Sequence, residues 1–173
     1  FLEDVDGVYS LEQVRSRSLM SKWENPDGEV PSFGFTESVY WLKFRLDHGS
    51  PVSERLYLTM TYPLLDFVDF YFETEDGEFE RTQLGDQLPF EQREIQHRYF
   101  VVELPEWKRG IQSVYIRVKT KSSFKLPVAI YSASKLRDLT SADMLGRGVY
   151  YGIMLIMILF NLVLFFILRD VNY

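Results

Sequence analysis

Residues 66–84 read DFVDFYFETEDGEFERTQL. Val68, Phe70 and Phe72 recur at every second position, and Phe67, Asp69 and Tyr71 fill the places between. That period of two sets the groups on opposite faces of a β-strand. Asp76-Gly77 interrupts the run and EFERTQL resumes it, which predicts an antiparallel hairpin.

The same alternation extends on both sides. In VYWLKFRL (39–46), Tyr40, Leu42, Phe44 and Leu46 share one face, and Trp41, Lys43 and Arg45 share the other. The string HGSP (48–51) marks a turn, after which RLYLTMTY (55–62) points Leu56, Leu58, Met60 and Tyr62 inward. RYFVVEL (98–104), IQSVYIRVK (111–119) and SFKLPVAIY (123–131) supply further strands, separated by Pro105 and by Lys108-Arg109-Gly110. About seven strands with frequent turn signals, and no helices alternating between them, give a mainly β domain, an antiparallel β-sandwich of jelly-roll type. Ahead of it, residues 9–22 (YSLEQVRSRSLMSK) space Leu11, Val14 and Leu19 as a short helix would, with Ser10 as N-cap and Gln13 three residues on. Asn25, Pro26, Asp27, Gly28 and Pro31 then read as a loop.

After the strands the pattern changes. SASKLRDLTSADMLGR (132–147) is polar and partly helical in character, a stalk leading to GVYYGIMLIMILFNLVLFFIL (148–168), which holds no charged residue. At about 1.5 Å per residue this run spans a hydrocarbon core of about 30 Å. Gly148 and Gly152 are four apart and Asn161 is polar near mid-membrane, which suits a helix inside a bundle or a single-span dimer, while Tyr150 and Tyr151 sit near one end as interfacial aromatics do. Lys135, Arg137 and Arg147 precede the run and Arg169 follows it, so charge alone does not place the carboxyl end in the cytoplasm. The opening FLEDVDGVYS has no basic stretch ahead of an apolar one, so export implies a signal that is cleaved or lies upstream. More chain is expected beyond Tyr173.

Composition excludes several functions. The 173 residues carry a formal charge of −6, which argues against a nucleic-acid partner and against flat adsorption to anionic lipid. With no cysteine there is no thiol catalysis, cysteine zinc site or disulfide. His48 and His97 lie in no nucleophile or metal motif, and Glu73, Glu75, Glu78 and Glu80 line a hairpin as a solvated edge. Asp4-Val5-Asp6-Gly7 hints at calcium but lacks the remaining ligand spacing. Neither an enzyme nor a cofactor is expected.

Two groups are candidates for a binding site. Trp41, Lys43 and Arg45, together with Phe67, Asp69 and Tyr71, mix rings and charges on faces opposite the apolar sets, with Tyr115 and Arg117 as possible neighbours. Rings stack on a sugar's apolar face while charged groups bind its hydroxyls, so the expected ligand is a small, carbohydrate-like molecule. The alternative reading is that such a face is part of the packing, covered by a loop or the N-terminal helix. The second group is the polar loop 85–97 (GDQLPFEQREIQH), with Asp86, Arg93, His97 and the adjoining Arg98. An Asp–Arg pair there would either fix the loop or touch a ligand.

The strings YWLKF (40–44), YPLLDFVDFYF (62–72), GDQLPFEQREIQHRYF (85–100) and LPV (126–128) resemble a bacterial sensor domain. It is the second extracellular domain type of the seven-transmembrane receptors with diverse intracellular signalling modules. YYGIMLIMILFNLVLFFILRDVNY (150–173) resembles the start of the seven-helix segment that follows it. The resemblance implies a periplasmic jelly-roll similar to carbohydrate-binding modules at the bacterial inner membrane, with a histidine kinase or diguanylate cyclase as cytoplasmic output. It carries over Asp66, Asp86, Arg93 and Arg98 as family-like residues, with Asp66 near the loop. The implied organisation is a sensor domain over 1–131, the stalk, a first membrane helix at 148–168 and a cytoplasmic loop from 169. The expected function is ligand sensing. Its alternatives are an interaction ectodomain that docks a partner receptor or a second copy, and a domain that only orients the membrane bundle.

Overall fold

A computed structural model describes residues 1–25, 31–48, 54–105 and 110–171, without the side chains of residues 48 and 169–171. The expected turns at Pro26–Gly28, Gly49–Pro51 and Lys108-Arg109 lie outside these residues, as do the side chains of His48 and Arg169. In chain order the first half holds β1 (Leu2–Asp4), α1 (Leu11–Arg15), β2 (Ser32–Phe35), β3 (Val39–His48), β4 (Leu56–Met60) and β5 (Phe67–Glu73). The second half holds β6 (Phe79–Leu84), β7 (Phe100–Glu103), β8 (Gly110–Lys119), β9 (Ser123–Lys125), β10 (Val128–Ser132) and α2 (Ala133–Val171). Two compact units result, Phe1–Ser132 and Ala133–Tyr173.

Every strand pairing is antiparallel, in a five-stranded sheet ordered β1-β3-β8-β5-β6, a three-stranded sheet β10-β4-β7 and a pair β2-β9. The inner positions of the large sheet, among them Val68, Phe70, Phe72, Val114, Ile116 and Val118, share one buried core with Leu58, Met60, Phe100 and Val102 of the smaller sheet. Phe33 stacks on Tyr40 at 4.2 Å and Phe124 packs against both, so the β2-β9 pair adds its rings to that core.

The strands exceed the expected number. SFKLPVAIY is not one strand: it breaks at Leu126-Pro127 into β9, which pairs β2, and β10, which pairs β4. Proline has no N–H to continue a ladder; here the Pro127 carbonyl instead accepts from Thr61 N–H, and Leu126 N–H reaches the Pro31 carbonyl. The expected helix over 9–22 is likewise divided. The capping box forms, with Ser10 Oγ accepting from Gln13 N–H and Gln13 Oε1 from Ser10 N–H, but α1 stops after five residues. At Ser16 the backbone turns extended, and a 3₁₀ segment follows over Arg17–Lys22. The stalk is helical from Ala133 onward, continuous with the apolar run inside the 39-residue α2.

These N-terminal pieces cover the outer face of the large sheet. Pairing of β1 with β3 sets Leu2 beside Trp41, and Leu2, Val14, Leu19, Val39, Trp41 and Tyr115 form a second buried cluster. The Asp4–Gly7 string is a turn: Gly7 N–H reaches the Asp4 carbonyl, and the buried Asp4 carboxylate accepts from the N–H groups of Val8 and Tyr9 at 3.1 and 2.9 Å.

Candidate functional site

The outer face of the five-stranded sheet is read in rows. In one, Leu2, Trp41, Arg117, Asp69 and Gln83 stand side by side across β1, β3, β8, β5 and β6. In the next, Lys43, Tyr115, Tyr71 and Arg81 do the same. Where the N-terminal segment leaves the sheet uncovered, a cleft of about 560 Å³ opens. The sheet contributes Trp41, Asp69, Tyr71, Phe79, Arg81 and Arg117 to it, and the N-terminal segment contributes Tyr9, Glu12 and Arg15.

Asp69 is the electrostatic centre. It is 1% exposed, and Arg81 donates to its Oδ1 from Nη2 at 2.7 Å and from Nε at 3.1 Å. Arg117 donates to Oδ2 from Nη1 at 3.4 Å and to the Gly7 carbonyl from Nη2 at 3.2 Å, so it ties the carboxylate to the N-terminal segment. The hydrogen bond to Asp69 raises the Arg81 pKa and keeps that group charged. Trp41 stacks on Tyr71 at 5.6 Å and 24°. Burial first, and the Asp69 charge second, push the Tyr71 phenol above its ordinary pKa.

The expected residues are dispersed. Trp41, Asp69 and Tyr71 meet at the cleft, with Arg117 beside them. Arg45 is an exposed residue of β3 opposite Ser113, and half-buried Phe67 sits opposite Lys119; neither lines the cleft. Lys43 lies over the Tyr115 ring at 5.3 Å. The 85–97 loop is a separate assembly, clamped to the chain before β5 by Asp86 N–H to the Leu65 carbonyl and Gln87 N–H to the Asp66 carbonyl. Its expected Asp–Arg pair does not form as a contact ion pair. Arg93 donates to the carbonyls of His97 and Gly85 between the rings of Phe90 and Phe100, while the Asp66 carboxylate accepts from Lys121 N–H at 2.7 Å. Burial lowers the Arg93 pKa, and the charge of Asp86 partly offsets that. Arg98 rests on the Tyr99 ring at 4.4 Å. Arg93 thus holds the loop's own backbone at Gly85 and His97.

With this geometry in view, the family model for 7TMR-DISM extracellular 2 matches residues 1–132. The chain belongs to that family. Its β unit is thus a sensory extracellular domain of a transmembrane receptor, and the family is a sensor rather than an enzyme. The match ends where α2 begins, and α2 is long and apolar enough to cross a membrane, with its apolar run exposed throughout. The chain is a membrane protein with an extracellular segment. No curated protein matches it.

Sequence reasoning missed Arg81, Arg15, Tyr9 and Phe79, all of which line the 7TMR-DISM cleft. The hairpin signal alone did not give Arg81: the observed register of β5 and β6 puts it opposite Tyr71, one residue away from the register of a two-residue turn on Asp76-Gly77.

Proposed function

We propose that the outer-face cleft is the sensing site, and that it takes a small, carbohydrate-like ligand. The carrying observation is the grouping of the half-buried Tyr71 ring with the Asp69–Arg81–Arg117 network in one open cleft. A ring offers a stacking wall and the charged groups bind hydroxyls, the division of labour that polar small-molecule pockets use. Trp41, 1% exposed, backs Tyr71 and fixes its plane.

In this reading the domain faces the periplasm of a bacterial inner membrane. Occupancy is relayed to a cytoplasmic output of the histidine kinase or diguanylate cyclase type. Arg117 supports a route for the first step, since it holds both Asp69 and the N-terminal segment. β10 ends at Ser132 and α2 starts at Ala133. A ligand shifts such an equilibrium only by its differential affinity for the two states. The test is calorimetric titration of the chain with mono- and oligosaccharides. Saturable heat that Arg81→Ala weakens is expected; heat unaffected by that change would place the site elsewhere.

A further inference from the structure

The cleft's hydrogen-bond inventory is unbalanced toward donors. Asp69 is already committed, with guanidinium N–H groups on both of its oxygens. Glu12, exposed at the rim, accepts from Ser10 Oγ at 2.7 Å. On the donor side, Arg15 lies 4.4 Å over the Phe79 ring and, among the described residues, has no carboxylate within ion-pair distance. Phe79 and Arg81 are two apart on β6 and therefore on one face, which brings the Arg15 and Arg81 guanidinium groups to the same wall. Arg81 is 51% exposed and gives Asp69 only part of its fork. A polyhydroxylated ligand without charge would find its acceptor partners largely taken, whereas a planar anion would meet the Arg15 guanidinium and the part of the Arg81 fork that Asp69 leaves open.

We infer that the ligand is an acidic saccharide whose carboxylate is held by Arg15 and Arg81, with its ring against Tyr71. This deepens the cleft reading and rests on it. The ring-backed placement of Arg15 contributes in two ways: the aromatic face holds the guanidinium plane by cation–π attraction, and it shields one side from water. Glu78, the remaining acidic group at the cleft, is exposed at the turn, where its charge is screened.

The experiment is calorimetry of the full chain in detergent micelles with matched pairs, glucuronate beside glucose and galacturonate beside galactose, as monomers and short oligomers. The acidic member of each pair is expected to bind more tightly. Arg15→Ala should weaken the acids by about tenfold or more and the neutral sugars by distinctly less, and Arg15→Lys should fall between wild type and Arg15→Ala for the acids, because lysine keeps the charge but loses the fork. Arg15 is exposed at the end of α1, so the unfolding temperature of the variant should stay near wild type. Neutral sugars binding as tightly as the acids, or acids indifferent to Arg15→Ala, would overturn the carboxylate inference and leave the cleft reading standing. No binding by any member would overturn both.

Discussion

Asp69 and Arg81 meet across the β5-β6 hairpin with the acid inside and the base at the surface. The Asp69 carboxylate is 1% exposed and the Arg81 side chain 51%, yet Nη2 and Nε both reach the same Oδ1, at 2.7 and 3.1 Å. A buried carboxylate is tolerable only with such partners. Asp69→Ala should cost about 2–4 kcal/mol, less than for a wholly buried pair because Arg81 can return to water. Arg81→Ala should cost less, since Arg117 at 3.4 Å still faces the carboxylate. Chemical denaturation of residues 1–132, a unit with its own core, checks the order; equal losses would contradict it.

Gly85 sits where no side chain fits. A Cβ there would lie 2.0 Å from the Asp66 carbonyl oxygen and 3.1 Å from the Phe67 Cα, both backbone atoms. Gly85→Ala should therefore displace the 85–97 loop and lower stability by about 1–3 kcal/mol. A near-neutral effect in thermal unfolding would mean that the clamp between Asp86 and Leu65 is slack.

How much of this was legible is clearest at β3. The alternation correctly separated Tyr40 from Trp41, and cover of the Trp41 face by a loop or the N-terminal helix was one of two readings it left open; β1, α1 and the 3₁₀ segment supply that cover. Covering is a tertiary fact, fixed by a segment some thirty residues away and not by the strand's own period. The Asp76-Gly77 turn was legible; its length was not. The connection holds three residues, 75–77, closed by Thr74 N–H to the Glu78 carbonyl, with Gly77 at a φ of 79°. A two-residue turn on Asp76-Gly77 would shift the register by one and set Thr82 opposite Tyr71. The observed register sets Arg81 there instead, so the site's main cation depended on a one-residue detail. The split of SFKLPVAIY was signalled by Pro127, whose missing N–H interrupts the ladder.

The N-terminal cover depends on its cap. Removing the Ser10 hydroxyl opens the capping box of a five-residue helix and releases Glu12. Ser10→Ala should lower stability by about 1 kcal/mol and weaken any ligand that touches Arg15. An unchanged affinity would show that α1 is not part of the binding wall.

Alkaline pH should destabilise the domain through Tyr71. Burial, then the Asp69 charge, raises its folded pKa above the unfolded value. The stabilisation from the neutral phenol is thus fully present below the unfolded pKa, about 10, and is lost as pH rises through the higher folded pKa. Tyr40 shifts the same way, chiefly by burial, so it is the control. Tyr71→Phe should flatten part of the decline above about pH 10, and Tyr40→Phe a separate part. A decline untouched by either change would assign it to other groups.

The central claim is that the Trp41–Asp69–Tyr71 cleft receives a small ligand. The most direct measurement is thermal unfolding of residues 1–132 across a saccharide panel, in wild type and in Tyr71→Ala, each against its own unliganded baseline. A ligand specific to the folded state raises stability as RT ln(1 + [L]/Kd). We predict a saturable rise with at least one member in wild type and its loss in Tyr71→Ala. A flat response across the panel, or a rise that Tyr71→Ala leaves intact, would contradict the account.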